Sequence, residues 1–188
     1  MIEFLRGARE AARLSQRALA GLAGVPQPSI AELETGTQRD ATIGLIERLL
    51  APCGAQLIAI PTTTPCVAAA AVELWRLVRA GHRGLVFRRL IQLNDDLLRE
   101  PPATRLALCL TPPRHTGDLG VDAFVAAVVE YRLQRLPVPA WTSEPSRICD
   151  PPWDVAGIES LAQDVRRTTP LPFQRHGVLI AEDDLASV

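Results

Sequence analysis

The sequence predicts a mainly α-helical protein built from two domains, and three observations lead to this prediction. Apolar residues recur every three or four positions along several segments of the 188-residue chain, a spacing typical of amphipathic helices. Glycine and proline stand between those segments, where helices end. The run PTTTPC at residues 61–66 suits neither a helix nor a core, so it is predicted to link a domain at 1–60 to one at 67–188. We expect a bundle of four to five helices with a short following strand in the first domain, and a mainly helical second domain.

The composition is that of a folded, soluble protein. With 47% hydrophobic residues, 22% charged residues and a net charge of −1, the chain is unlike a disordered acidic or basic tail. No run approaches the roughly 18 apolar residues that a membrane-spanning helix needs, and the start MIEFLRGARE has no signal-peptide core. The four cysteines form no C-x-x-C pair. We therefore expect a cytoplasmic protein with free thiols and no membrane segment.

The first domain is predicted to contain short helices with a sharp turn between the second and third. Ser15 can cap the second helix, and Gly24 supplies the positive φ that a tight helix end requires. Gly36 closes the third helix, and Asp40 is expected to cap the fourth. The predicted helices are residues 2–14, 15–22, 27–34 and 40–50.

The residues around this turn have the spacing that a helix-turn-helix motif needs. Ala20 is small where two helices would touch, Gly24 stands at the turn, and Val25 begins a shared apolar core. The pattern resembles the lambda-repressor and Cro type of regulator, the Xre family, over residues 1 to about 60. The matched positions are Arg9, Leu14, Ser15, Gln16, Leu19, Ala20, Gly24, Val25, Ile30, Glu34 and Gly36.

The resemblance implies a regulator that binds double-stranded DNA through its third helix. In that family the leading end of this helix enters the major groove, which places Gln27 best to read a base. A glutamine amide can bond both N7 and the N6 amino group of adenine, and Glu32 can accept from cytosine. Gln16 corresponds to a phosphate-contacting position. The expected DNA-contacting residues are Gln16, Arg17, Gln27, Pro28, Ser29, Ala31, Glu32, Thr37 and Arg39.

A plain helical bundle is the alternative, and two departures from the family favour it. Pro26 stands where relatives usually have a Ser or Thr cap, although Pro28 is tolerated in a first helical turn. Residues 1–60 contain six arginines and six acidic residues, so the domain has no surplus of positive charge. Non-specific DNA affinity should be weak, and a single copy should bind poorly.

A short apolar strand after the fourth helix suggests how two copies of the chain form a dimer. The sequence AQLIAI alternates apolar and other residues before Pro61, and an unpaired strand needs a partner for its edge. Related antitoxins pair such a strand across a two-fold axis, which implies a homodimer on a palindromic operator. Pairing with residues 178–181 of the same chain is the alternative. The strand residues are Ala55, Gln56, Leu57, Ile58, Ala59 and Ile60.

The second domain is predicted to be helical, with proline-rich connections. Asp118 or the loop before it should start a long helix that ends at Leu136. Residues 103–110 fit either a short helix or a buried strand, and residues 137–153 are predicted as loop. The end of the chain is predicted to form a helical turn, a short strand and an acidic segment. The other expected helices are residues 67–78, 85–98 and 155–167.

The second domain shows no motif that establishes chemistry. His115, Asp118 and Asp122 are close in sequence and could form a metal or acid–base site, but capping and turn roles explain them better. His176 is interpreted as a helix end. We expect no enzyme, no cofactor and no metal. A basic patch could contact nucleic acid or an acidic partner, although a solvated face explains it better; its residues are Arg76, Arg79, His82, Arg83, Arg88 and Arg89.

The last third of the chain has a helix at Asp122–Arg132 followed by PVPAWT, PPW and FQRHGVLIAEDDL. This pattern is similar to the C-terminal region of Xre-type proteins encoded beside nucleotidyltransferase-like toxin genes. This resemblance implies an antitoxin that binds its toxin and represses its own operon. Trp141 and Trp153 are then candidate anchors for the toxin, although such tryptophans more often close the core of a small domain. Two other hypotheses stay open: a regulator that senses a small molecule in the second domain, and an enzyme or scaffold with a degenerate helix-turn-helix.

Overall fold

The computed structural model describes residues 2–38, 40–155 and 162–185, and it confirms the mainly α-helical fold class. The chain divides into two compact units, Met1–Ile60 and Pro61–Val188. Across the described residues, none of the helices combines the length and apolar character that a membrane crossing requires.

The first unit is a small helical bundle around one apolar core. Its described helices are α1 (Ile2–Ala11), α2 (Gln16–Ala23), α3 (Gln27–Thr35), α4 (Ile43–Leu50) and a 3₁₀ turn at Ala51–Cys53. All four predicted helices are present. The core residues are Leu5, Leu19, Val25, Ile30, Leu33, Ile46, Leu49 and Leu50.

The helix ends of the first unit follow local sequence signals, with one correction. The Ser15 hydroxyl accepts from the Ala18 N–H at 3.1 Å, as predicted for a capping residue. Gly24 ends α2 with φ +64°, and Gly36 ends α3 with φ +79°. The prediction that Asp40 caps α4 is wrong. The cap is Thr42, whose hydroxyl accepts from the Leu45 N–H at 3.2 Å, because the helix starts only at residue 43.

In the second unit, one helix is enclosed by the rest of the structure. Eleven of the residues of α8 (Leu119–Leu133) are buried, on all of its faces, so the one-sided apolar stripe of a surface helix is absent from α8. Asp118 caps it as predicted, its Oδ1 accepting from the Val121 N–H at 3.1 Å. It ends at Leu133, three residues before the predicted end. The other helices are α5 (Val67–Arg79), α6 (Arg83–Arg99), α7 (Pro102–Cys109), α9 (Ala162–Thr168) and α10 (Leu171–Arg175).

A two-stranded parallel sheet joins two segments of the second unit that are distant in sequence. Trp153–Asp154 (β1) pairs with Val178–Leu179 (β2), with Trp153 opposite Val178. The prediction of loop throughout 137–153 is therefore wrong at Trp153, whose N–H donates to the Gly177 carbonyl at 2.8 Å. Within the predicted helix at 155–167, Val155 is not helical and Ala162–Thr168 is; residues 156–161 lie outside the described part of the chain.

Residues 55–60 have no regular secondary structure in the single chain. In the described residues, Val178–Leu179, part of the alternative partner, is hydrogen-bonded to β1. Pairing of residues 55–60 with a second copy stays a prediction.

The threonines of the predicted linker are attached to the second unit. Glu100 Oε1, at the end of α6, accepts from the Thr63 N–H (2.9 Å) and from the hydroxyls of Thr62, Thr63 and Thr64. These bonds hold the pKa of Glu100 below its usual value, and the bond from the Thr63 N–H has the largest effect. Residues 62–64 are therefore held in place by side-chain and backbone hydrogen bonds.

The tight turn between α10 and β2 gives a test of the second unit's packing. A Cβ at Gly177 (φ +65°) would lie 2.1 Å from the Cys149 carbonyl oxygen, whereas a Cβ at Gly81 (φ +73°) would meet open space. Gly81→Ala should cost only left-handed backbone strain, about 1–2 kcal/mol. Gly177→Ala should cost about 1–3 kcal/mol more because backbone must move. Urea denaturation followed by tryptophan fluorescence measures both, and equal losses would contradict the packing described.

Candidate nucleic-acid interface

The second and third helices of the first unit are joined by a tight turn that leaves the start of α3 exposed. The Val25 N–H donates to the Ala20 carbonyl at 3.1 Å, and Val25 then packs into the core. Ile30 and Leu33 anchor α3 with 0% and 5% exposure. The opposite side carries Gln27, Pro28 and Glu32, all exposed, and Ser29 and Ala31, both half-buried.

A buried ion pair holds α3 against α1. Arg9 Nε and Nη2 donate to the two carboxylate oxygens of Glu34 at 2.6 and 2.9 Å, and Arg9 Nη1 donates to the Leu14 carbonyl at 2.9 Å. The two side chains are 11% and 4% exposed. The bonds from Arg9 hold the pKa of Glu34 below its ordinary value, against the opposing effect of burial. The pair ties together α1, the α1–α2 turn and α3.

This ion pair continues as a chain of side chains to the exposed end of α3. Gln16 Nε2 donates to Glu34 Oε2 at 2.8 Å, and Gln27 Nε2 donates to Gln16 Oε1 at 2.9 Å. We call Arg9, Glu34, Gln16 and Gln27 the polar chain. Among the residues that the structure describes, the Gln27 carbonyl oxygen and its second amide hydrogen have no further partner. Gln27 thus presents one donor and one acceptor from a side chain that is already held in place.

A concavity of about 610 Å³ lies where α2 and α3 begin. It is lined by Arg9, Ser15, Gln16, Arg17 and Gln27. Arg17 is exposed, and in the described part of the chain its guanidinium has no carboxylate partner. The concavity therefore combines a cation, amide groups and the start of α2, all of which suit an anion.

The positions of the other residues predicted to contact DNA, Thr37 and Arg39, add little to this description. Thr37 is exposed, with its hydroxyl 3.0 Å from that of Thr35. Arg39 lies outside the described residues. Pro26 precedes α3 without any side-chain cap, and Pro28 lies in its first turn, both as predicted.

Sequence reasoning missed the polar chain. Arg9 and Glu34 were matched to a family pattern without a role, and Gln16 was expected to contact phosphate alone. The signal available was the position of Glu34 four residues after core residue Ile30, on the same face of the helix, since a buried carboxylate requires a partner.

In the second unit, hydrogen bonds to one another or to the backbone engage the three residues that the sequence singled out: His115, Asp118 and Asp122. His115 Nδ1 lies 3.0 Å from Asp122 Oδ2, and Asp122 Oδ1 accepts from the Thr116 N–H and hydroxyl at 2.9 and 2.8 Å. Asp118 caps α8. Within the described ranges, no three His, Cys, Asp or Glu residues are grouped as a metal site would require. The contacts match the predicted turn and capping roles.

The two tryptophans expected to anchor a partner differ in accessibility. Trp141 is 4% exposed and its indole N–H donates to the Cys109 carbonyl at 2.9 Å, so it lies in the core, as the alternative had it. Trp153 is half-buried, and its ring occupies the space where a Cβ at Gly120 would lie. Trp153 also lines a second cavity of about 610 Å³. Of the two tryptophans, only Trp153 is partly exposed to solvent.

Comparison with known proteins bears on the first unit alone. Residues 3–59 match a family model described as a helix-turn-helix domain. Neither the curated proteins nor the solved structures contain a match to the chain. The matched region covers under a third of the chain and includes the turn, α3 and the whole polar chain. It supports a DNA-binding regulator.

The Arg9–Glu34 pair should make the first unit's stability depend on pH. Because the pKa of Glu34 is lowered on folding, the pair contributes fully above the ordinary carboxyl pKa, and its contribution is lost as pH falls through the folded value. Arg9→Met leaves a buried carboxylate unpaired and should cost about 3–5 kcal/mol at neutral pH. Hydrogen exchange of residues 15–36, followed by mass spectrometry, reports this loss within the first unit.

The exposed pair Arg6–Glu10 supplies the control, because its side chains are 64% and 52% exposed. Arg6→Met should leave protection nearly unchanged at every pH. The difference between Arg9→Met and the unsubstituted protein should shrink in acid. A difference that stays constant from neutral pH to acid would show that Glu34 is not the group responsible.

Proposed function

We propose that the chain is a sequence-specific transcriptional repressor that inserts the leading end of α3 into the major groove of DNA. The observation that carries this proposal is the polar chain: an exposed glutamine at the start of α3 is held through Gln16 by a buried ion pair. The match of residues 3–59 to a helix-turn-helix domain supports the same assignment.

Gln27 is the proposed base-reading residue. Its bond to Gln16 uses one amide hydrogen and leaves the other hydrogen and the carbonyl oxygen for the N7 and N6 positions of an adenine. Because the side chain is already oriented, less conformational entropy is lost when DNA binds. Pro28, Ser29, Ala31 and Glu32 lie on the same exposed end and complete the proposed contact surface.

Phosphate contacts are proposed at the concavity beside the start of α2. Gln16 has one amide hydrogen left, Arg17 is an exposed cation without an ion pair among the described residues, and the N–H groups at the start of α2 suit an anion. Thr37 and Arg39 are proposed as further phosphate contacts. These contacts position the protein without reading sequence.

Substitution of Gln27 tests the base contact, using a duplex selected from a random-sequence pool. Gln27→Ala should weaken binding to the selected duplex by about 1–3 kcal/mol and relax the preference at one base pair. Gln16→Ala should relax the same base pair by less, since Gln16 acts on that base pair only through Gln27. Fluorescence anisotropy on the selected duplex and on single-base variants measures both.

Two controls separate base reading from general loss of binding. Arg17→Ala should weaken all sequences alike, and Gln92→Ala, an exposed glutamine of the second unit, should change neither affinity nor preference. Equal losses from Gln27→Ala on selected and random duplexes would remove its proposed role.

We propose that the repressor is a homodimer joined through residues 55–60. Leu57, Ile58 and Ile60 are 48%, 71% and 42% exposed in the single chain, and the segment's backbone forms no sheet there. Pairing with a second copy would bury these side chains and satisfy the strand edge. Two recognition helices would then lie about 34–36 Å apart on a palindromic operator.

A charge in this segment should separate the two copies. Ile58→Asp should convert a dimer to a monomer in sedimentation velocity and weaken operator binding, because one half-site contact is lost. Ile43→Asp is the matched control, since Ile43 is 67% exposed but lies at the start of α4. A protein that is monomeric at micromolar concentration, or a dimer unaffected by Ile58→Asp, would contradict the proposed interface.

The second unit is proposed to bind a toxin, as the resemblance of its sequence to antitoxin tails implies. Trp153 is the anchor that the structure leaves accessible. Co-purification with the product of the adjacent gene tests the partner, and a substitution at Trp153 should weaken that complex.

A ligand-sensing regulator is the second candidate, favoured by the cavity that Trp153 lines. Its volume of about 610 Å³ falls in the range typical of small-molecule sites. A compound from a fragment library that raises the melting temperature and changes operator affinity together would support this candidate. The cavity is lined by Val78, Gly81, His82, Arg83, Val86, Phe87, Leu90, Asp118, Val121, Trp153, Asp154 and Val155.

A further inference from the structure

Two arginines from distant parts of the second unit lie against the same tryptophan. Arg79, in the last turn of α5, has its guanidinium carbon 5.1 Å from the centroid of the Trp75 ring. Arg114, in the loop after α7, has its guanidinium carbon 4.1 Å from the same centroid. Both arginines are exposed, and Trp75 is half-buried. We call Arg79 and Arg114 the Trp75 arginine pair.

No carboxylate in the described part of the chain forms an ion pair with the Trp75 arginine pair. Within the described residues, neither arginine forms an ion pair, and each has only its contact with Trp75. Arg89, from the same basic stretch of sequence, differs: its Nε lies 2.7 Å from Glu73, and its Nη1 lies 3.5 Å from Asp96. The structure therefore removes Arg89 from the predicted basic patch and adds Arg114 to it.

This arrangement favours an anionic ligand. Both guanidinium groups lie within about 5 Å of one ring, so their like charges repel unless an anion or solvent screens them. Contact with the ring restricts each guanidinium while its N–H groups stay available at the surface. Arginine N–H groups bind phosphate in a bidentate manner. The neighbouring stretch adds further exposed cations: Arg76, Arg83 and Arg88.

The charge balance of the first unit points to DNA as the source of that phosphate. Its six arginines are matched by six acidic residues, and Arg6 and Arg9 are already paired with Glu10 and Glu34. Contacts to the phosphate backbone supply most of the non-specific affinity of DNA-binding proteins. A helix-turn-helix unit without surplus positive charge therefore benefits from cations placed elsewhere in the same chain.

We propose that Arg79 and Arg114, held on Trp75, bind phosphate groups of the duplex outside the base pairs that α3 reads. The proposal rests on the proposed function as a DNA-binding repressor. The second unit then contacts DNA directly, and these contacts do not depend on the base sequence.

The test compares two double variants of the full chain that carry the same change in charge. Arg79→Gln/Arg114→Gln removes the proposed phosphate contacts. Arg166→Gln/Arg167→Gln removes two exposed arginines of the second unit that lie on α9. The probe is a random-sequence duplex of about 40 base pairs, and binding is measured by anisotropy between about 50 and 200 mM salt.

The unsubstituted protein should bind this probe with a salt slope steeper than that of Arg79→Gln/Arg114→Gln by about 2, since each phosphate contact contributes about 0.9. The ratio of their affinities should accordingly fall about tenfold across the salt range. The α9 variant should keep nearly the full slope. All the substituted arginines are exposed, so circular dichroism should show unchanged folding.

Two results would overturn the proposal while leaving the repressor function intact. One is a salt slope that Arg79→Gln/Arg114→Gln leaves unchanged. The other is unchanged DNA binding together with loss of a co-purifying acidic protein, which would assign the Trp75 arginine pair to a protein partner. Failure of the unsubstituted protein to bind either random or selected duplexes would instead overturn the proposed function itself.

Discussion

The buried bond between Arg9 and Glu34 is the interaction on which the position of α3 depends. This nine-residue helix is preceded by a proline that provides no capping side chain, so its own start contributes little to holding it. Ile30 and Leu33 anchor it to the core. Glu34 adds a polar anchor, because its two carboxylate oxygens accept three hydrogen bonds in a nearly buried site, and a turned helix would leave a charge unpaired.

The same bond fixes the exposed end of the helix through Gln16. Gln27 and Glu34 are seven residues apart, about two helical turns, so they lie on nearly the same face of α3. Gln16 bridges them from the start of α2, donating to Glu34 and accepting from Gln27. An interaction buried at one end of α3 thereby determines the rotamer of a side chain at the other.

Local signals made the helices predictable, whereas partners distant in sequence did not. Ser15 and Gly24 act on residues within one turn, so their roles could be read directly from the sequence. Thr42, two positions after Asp40, is an equally good cap, and only the packing of α4 decides between them. The two-residue strands, the enclosure of α8 and the bonds of Gln16 to residues 11 and 18 positions away depend on tertiary contacts. Arg114 is separated from Trp75 by a whole helical hairpin, which is why the basic patch was predicted without it.

Gln16 was predicted to contact phosphate, and the structure engages both ends of its amide inside the protein. These two roles are compatible, because donation to Glu34 uses only one of the two amide hydrogens. Under the proposed function, a phosphate at the start of α2 would take the second hydrogen. Its negative charge would then reinforce the orientation in which the Gln16 carbonyl accepts from Gln27. Backbone binding and base reading would be coupled through a single side chain, so a correctly placed phosphate would favour the Gln27 rotamer that reads the base.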